Sequence, residues 1–409
     1  MDLDLAIVGG GPAGIATALF FAAAAPHRRG RVAVLERERY PREKICAGAL
    51  GARADRLLDT IGVRVDVPSV PIHGFAVVTA GERLRARDEP SAPPIGRVVR
   101  RLEFDRAFAD EARARGLSVV EGARVTGLDV EREGVRLRTT VGEILARAVV
   151  GADGVGSFVR RALGLPRGRF LAQVVEVDTP AVAADEARDL LHFDLSDRSL
   201  PGYGWDFPTL VAGVPLVCRG LYGMRPDTGA HAGRDGSLDV SARLQARLDR
   251  LGVSGSLRFK RFSERGLSLP EALARPRALL VGEAAGIDPV LGEGIAQAIF
   301  YGATAGPYLA RCLDRGELSF AGWPDELRRS RVGLDLRLRA AFLPWLYGRP
   351  RPLVEGWVGS SPDLALAGMR YFAGDRVPRA RLGSAAWTLG AVAARAGLAA
   401  TSRRWPPWR

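Results

Sequence analysis

Apolar positions along the first third of the chain alternate between short strand-like runs and one helix-length stretch. Leu3 to Val8 is a short, mostly apolar run of the kind buried in a parallel strand. A glycine-rich turn follows, Gly9-Gly10-Gly11-Pro12-Ala13-Gly14, and the apolar stretch from Ile15 predicts a helix ending near Pro26. A second strand over Arg31 to Leu35 closes on Glu36, completing a β-α-β unit. Prolines and short alternating runs such as Phe75-Ala76-Val77-Val78 mark a change of character between about Pro71 and Arg97. Arg101 to Arg115 reads as a helix, with Leu102, Phe104, Phe108 and Ala112 roughly on one face. Three short strands are expected over Ser118 to Ala123, Gly134 to Thr140 and Ala146 to Val150.

From about Pro166 to Arg265 the pattern is irregular, with strand-like pieces and many turns, and reads as a separate sheet over the substrate. A last buried strand, Ala278 to Val281, leads through Gly282 to a glycine-interrupted helix near Gly294. Beyond about Glu326 the chain is helical in pattern and rich in arginine, broken by Pro344, Pro350, Pro352 and Pro362. These runs divide the chain into a discontinuous nucleotide-binding domain (1–72 with 97–165 and 270–325), an inserted β-sheet domain (73–96 with 166–269) and a helical C-terminal region (326–409). No apolar run approaches the roughly 18 residues that cross a bilayer.

Composition changes this picture little. A chain of 409 residues with 47% hydrophobic and 26% charged residues has the make-up of a globular protein with more than one core. The net charge of +13 raises the question of nucleic acid. Only Lys44 and Lys260 are lysines, and the arginines are scattered among acids, so a nucleic-acid partner is not expected. The exception is the C-terminus, where arginines follow Asp375 with no acid among them. Ala385-Ala386-Trp387-Thr388-Leu389, with Arg395, Arg403, Arg404, Trp405 and Trp408, has the mix of an interfacial segment. Peripheral membrane contact is one reading of it, and a capping helix with a solvated tail is the other. Cys46, Cys218 and Cys312 form no CxxC or Cys/His cluster, so no metal site is expected and a reducing, cytoplasmic setting fits. Acids at Asp2 and Asp4 argue against an export signal. Oligomeric state is not legible here.

The glycine turn is where chemistry first shows. Gly9 permits the tight turn, Gly11 lets backbone N–H groups reach a pyrophosphate, and Gly14 lets helix and strand pack closely. Pro12 and Ala13 open the helix, whose N-terminus adds its partial positive charge. Glu36 closes the next strand as an acceptor for ribose hydroxyls, with Arg37 after it. A glycine turn without a ligand is the competing account of the motif by itself.

Three later landmarks bear on the ligand. They are Arg101-x-x-Phe104-Asp105, then Gly151-Ala152-Asp153-Gly154-x-x-Ser157-x-x-Arg160, then Gly282-Glu283-Ala284-Ala285-Gly286-x-Asp288-Pro289-x-x-Gly292-Glu293-Gly294-Ile295. With the opening turn and in this order, they resemble the flavoprotein monooxygenase superfamily, of the para-hydroxybenzoate hydroxylase fold. The resemblance implies an α/β chain: a Rossmann-like FAD-binding domain, an inserted antiparallel-sheet substrate domain and a helical C-terminal region. It implies that FAD is the cofactor, with NAD(P)H the expected electron donor and ferredoxin or another donor left open. By the same resemblance Arg101 contacts FAD, and Asp153 bridges FAD and NAD(P)H. Glu283 binds ribityl or ribose hydroxyls, Gly292, Gly294 and Ile295 approach the isoalloxazine ring, and Gly282 and Pro289 are placed at the cofactor as well. Arg37, Ala47 and Val125 are placed at the cofactor too. Glu283 stands where the family usually has aspartate. Taken singly, Arg101 also reads as a helix-surface charge, and Asp153 as a turn former or N-cap.

Two further segments are similar to the geranylgeranyl reductase branch: Pro41-Arg42-Glu43-Lys44-Ile45-Cys46-Ala47-Gly48-Ala49-Leu50 and Gly202-Tyr203-Gly204-Trp205-Asp206-Phe207-Pro208. The similarity puts Cys46 beside the flavin as a proton relay, and Tyr203 and Trp205 on an apolar substrate tunnel. A buried small residue and plain sheet core are the bland accounts. The expected activity is reduction of C=C bonds in an apolar polyprenyl or secondary-metabolite molecule. An O2-dependent monooxygenase is the alternative. A flavin-dependent halogenase matches Gly202 to Pro208 only in part, with Tyr203 in place of its first tryptophan. Flavin as scaffold for a non-redox cyclisation or isomerisation is the remaining reading.

Overall fold

The computed structural model describes residues 3–89, 91–166, 168, 170–226, 239–267, 272–348 and 350–375. The interfacial segment expected over 385–408 lies outside them. At the centre of the first sheet is Leu3–Val8, flanked in parallel by Val32–Leu35 and Gly142–Gly151. Ser118–Val120 extends it in parallel on one side and Ala278–Leu280 on the other. Leu5, Ala6, Ile7, Val34, Val149 and Val150 have no exposed surface, which is why these strands read as unbroken apolar runs. Asp4 interrupts the first run, and its burial is offset by cations: Arg28 Nη1 donates to its Oδ2 at 2.8 Å, with Arg31 and Arg147 beside it at 3.3 and 3.4 Å.

The helices Pro12–Ala24 and Gly294–Arg315 lie against each other over this sheet. A Cβ on Gly302 would lie 2.5 Å from that of Ala16, and one on Gly306 2.5 Å from the Phe21 nitrogen. The glycines that interrupt the second helix are therefore its contact line with the first. Among the strands not foreseen, one lies in this sheet's meander. Val125–Val130 forms a meander with Val135–Thr139 and Gly142–Gly151. Its sequence VTGLDV buries little beyond Val125 and Gly127, so it carries almost no apolar rhythm.

The second sheet has seven strands in the order Lys260–Gly266, Phe170–Thr179, Val214–Pro226, Gly202–Val211, Leu190–Asp194, Gly74–Val78 and Arg83–Arg87. All pairs are antiparallel except Leu190–Asp194 with Gly74–Val78, which is parallel. Alternation divides its residues between two covers. On one face Val175, Val177 and Leu221 pack under the helix Val240–Arg250. On the other, Tyr203, Trp205, Phe207 and Tyr222 pack against Leu343, Leu346, Tyr347, Val354 and Met369. Those residues come from the helices Arg331–Tyr347, Arg351–Ser360 and Pro362–Ala373, so the C-terminal region roofs the aromatic face. Pro352 and Pro362 sit in first helical turns, where the missing N–H costs nothing, while Pro344 lies inside its helix.

Candidate functional site

The first strand-to-helix turn opens onto a cavity of about 650 Å3. Its wall carries Gly9, Gly11, Pro12, Ala13, Glu36 and Arg37 from the opening β-α-β unit. Cys46, Arg101, Val125 and Asp153 join them, as do Glu283, Gly292, Gly294 and Ile295. Segments distant in sequence thus meet around one volume.

The polar geometry is that of an anion cradle. Gly9 has φ +108°, and a Cβ there would lie 2.4 Å from the Ala152 carbonyl oxygen, so the turn admits only glycine. Gly11 faces open space: near its Cβ position lie only Nη2 of Arg42 at 3.8 Å and Nη2 of Arg101 at 4.0 Å. Two guanidiniums beside bare backbone at a helix N-terminus suit a pyrophosphate. Asp105 fixes both cations. It accepts from Arg101 Nε at 2.6 Å and Nη2 at 2.8 Å, and its Oδ2 lies 3.0 Å from Arg42 Nη2. Glu36 is held by the Gly10 and Glu38 amides, which donate to its two oxygens at 2.9 and 3.0 Å. Glu283 Oε1 is buried with no hydrogen-bond partner among the described residues, an acceptor left for a ligand hydroxyl. This set fits FAD: the turn and two arginines for the pyrophosphate, Glu36 for ribose, and Glu283 for ribityl or ribose hydroxyls.

Several expected residues lie elsewhere or are already engaged. Gly14, Ala47, Gly282 and Pro289 are not on the cavity wall. A Cβ on Gly14 would meet the Gly9 carbonyl oxygen at 1.9 Å and one on Gly282 the Ala13 Cβ at 2.5 Å, so both serve close packing. Pro289 backs onto Gly266, and Ala47 packs against the aromatic core. Asp153 reaches the wall with both oxygens engaged: Ser157 Oγ donates to one at 2.5 Å, the Phe158 and Val159 amides to the other at 2.6 and 3.1 Å. The helix Phe158–Ala162 has Ser157 as its N-cap, and Asp153 supports that first turn from the preceding loop. Tyr203 and Trp205, 5% and 3% exposed, are not on the wall of this cavity. They lie in a closed aromatic layer, and the Tyr203 hydroxyl donates to the Leu291 carbonyl at 2.5 Å, supporting the Gly292 loop from behind.

Arg42, Lys44, Phe262 and Glu264 are wall residues that motif reading passed over. Arg42 and Lys44 stood inside a quoted segment without a role of their own. Phe262 and Glu264 belong to Lys260–Gly266, whose sequence KRFSERG has no strand alternation to signal it. Cys46 Sγ accepts from the Gly48 amide at 3.4 Å. Burial foremost, and Glu176 with it, push the thiol up against the opposing pull of Arg101, so it stays protonated at neutral pH. Among the described residues no helix is long and apolar enough to cross a membrane, and no cluster of His, Cys, Asp or Glu could hold a metal ion.

Residues 2–193 match the FAD binding domain family. Over 364 residues, 83% of each chain, the protein is 30% identical to a menaquinone reductase of Mycobacterium tuberculosis. It is 29% identical over 256 residues to a digeranylgeranylglycerophospholipid reductase of Methanosarcina mazei, covering 58% of this chain and 59% of that one. The fold is shared with a geranylgeranyl bacteriochlorophyll reductase-like protein of Thermoplasma acidophilum (TM-score 0.67, 19% identity, 96% and 98% of the two chains). A flavin-dependent brominase shares it as well (TM-score 0.69, 18% identity, 97% and 99%). With the glycine turn, the cradle and the late glycine loop closing one cavity, these likenesses make the chain an FAD-dependent oxidoreductase that belongs to the same family as the mycobacterial menaquinone reductase.

Proposed function

We propose that this enzyme reduces carbon–carbon double bonds in the polyprenyl chain of a lipid, drawing electrons from NAD(P)H. The carrying observation is the cavity wall around Cys46. Ile45, Phe262, Ile287 and Ile295 share that wall with the protonated thiol, apolar surface suited to an isoprenoid chain. Menaquinone and digeranylgeranylglycerophospholipid, the compounds named for two relatives, share polyprenyl chains and little else. FAD, when bound, supplies the hydride chemistry. The protein's own residues grip the pyrophosphate, exclude water and hold a proton at Cys46 Sγ. The test is anaerobic: enzyme with NADPH and either lipid, products read by mass spectrometry. Paired hydrogens gained in the polyprenyl chain are expected. Turnover that appears only with O2 and adds oxygen would replace this reading with the monooxygenase one.

A lipid substrate gives the outer face of the helix Arg331–Tyr347 a use, and we place peripheral membrane contact there. Leu334, Leu338 and Trp345 are 50%, 63% and 48% exposed and share one face at helical spacing with exposed Ala341 between them. Exposed Arg331 and Arg337 flank the stripe, as a surface meeting anionic lipid requires. The opposite face packs Leu336 and Leu343 inward. Co-sedimentation with phosphatidylglycerol vesicles is expected, weaker with phosphatidylcholine, and lost when Leu334, Leu338 and Trp345 are all replaced by Gln in a protein that keeps its flavin. Equal pelleting of the triple variant removes the proposal.

A further inference from the structure

Reducing an alkene consumes a proton as well as a hydride. Register fixes where one acid stands. Glu264 pairs opposite Ala172, and its strand neighbour Phe262 opposite Val174, which in turn pairs with Tyr222. Glu264 therefore shares the sheet face of the aromatic rings, at its edge, and lines the cavity. Its carboxyl leans on the glycine loop: Oε2 lies 2.5 Å from where a Gly292 Cβ would be, and Oε1 3.5 Å from that of Gly294. Gly292 has φ +64°, so glycine is favoured there on both backbone and steric grounds. Glu264 forms no hydrogen bond or ion pair among the described residues.

The groups facing it are Glu283 and Asp288 from the late segment and Lys44 from the Cys46 segment, whose ammonium lies 5.5 Å from the Phe262 ring centroid. Burial first, then repulsion from the two acids, hold the carboxyl well above the usual carboxylate range despite Lys44. The carboxyl therefore holds its proton more tightly than an ordinary glutamate does. Other acids nearby are less suited. Glu176 is 1% exposed and does not reach the cavity wall, and Asp153 accepts three local hydrogen bonds. Cys46 is on the wall, but a thiol raised by burial is a weaker acid than a carboxyl.

We infer that Glu264 is the proton donor of the reduction, a role that rests on the function proposed above. One alkene carbon gains a hydride, whose electron pair comes from reduced flavin, oxidised by two electrons in the exchange. The other carbon gains the proton that leaves a Glu264 carboxyl oxygen, and water reprotonates the carboxylate. The alkene is thereby reduced by two electrons. Glu264→Gln keeps the shape and removes the acidic proton.

Two measurements test the assignment, with menaquinone as probe and dithionite as reductant. In FAD-loaded protein, Glu264→Gln is expected to lower kcat about 100-fold with KM within about twofold, and Glu264→Asp to restore part of it. In infrared spectra of the protein without flavin, a protonated-carboxyl band at neutral pH is expected to vanish in Glu264→Gln. Wild-type kcat in that variant overturns the assignment, and so does a band that the substitution leaves unchanged. If the wild-type enzyme itself leaves the probe unreduced, the proposed function fails, while the infrared band still decides whether Glu264 holds a proton.

Discussion

Gly14→Val is expected to yield a protein that no longer retains FAD. The new Cβ would fall 1.9 Å from the Gly9 carbonyl oxygen, 3.1 Å from its carbon and 3.3 Å from Ile7 Cγ2. Backbone cannot swing aside as a flexible side chain can, so the helix Pro12–Ala24 must back away from Leu3–Val8. That movement withdraws the helix N-terminus from the cradle of Arg42 and Arg101 and spoils packing at Ile7, which has no exposed surface. Overpacking of this kind costs about 3 kcal/mol. Flavin absorbance per protein after desalting is expected to drop at least about tenfold, with a lower urea midpoint. Gly30→Ala, at a site with nothing within 4 Å, serves as the control and is expected to behave as wild type. Full flavin content in Gly14→Val would show that close packing at this turn is not what aims the helix at the cofactor.

The same positions show what a sequence can and cannot reveal. Gly9, Gly11 and Gly14 are legible because each answers a local demand: a positive φ, an open face, a close approach. Glu36 is legible because it ends a strand whose apolar rhythm is unmistakable. Asp153 shows the first limit. An aspartate after a strand suits a ligand contact and support of a helix start equally, and here one residue does the second, through Ser157, Phe158 and Val159, while standing on the cavity wall. Tyr203 shows the second. Its motif draws notice, but whether the hydroxyl faces a cavity or a backbone carbonyl depends on Leu291, 88 positions away. Glu264 was invisible for a related reason. Its strand is KRFSERG, and what puts its carboxyl against Gly292 is register with Ala172, a long-range pairing that no local pattern encodes.

Arg339→Met tests how the C-terminal region governs the flavin site. Arg339 donates to Asp288 and, at 2.8 and 2.9 Å, to Glu293 Oε2 and Asp335 Oδ1. Desolvation works against its charge, but these three carboxylates outweigh that and raise its pKa well above the ordinary value. Asp288 also accepts from the Val290 amide at 2.8 Å and the Glu293 amide at 3.3 Å, so one carboxylate shapes the loop that carries Gly292. Methionine fills the space of the side chain while leaving Asp288, whose side chain has no exposed surface, without its cation. Arg53 still donates to Glu293 at 2.5 Å and limits the damage there. Removing one partner from a buried ion pair costs several kcal/mol, and with Arg339 15% exposed a loss of about 3 kcal/mol is expected in urea unfolding. Flavin should leave the variant faster, because the Gly292 loop loses one of the contacts that join it to the roof helix, keeping that of the Tyr347 hydroxyl with the Val290 carbonyl at 2.6 Å. If stability falls while flavin retention stays at the wild-type level, the network holds the roof but not the loop. If neither changes, the three carboxylates do not depend on Arg339.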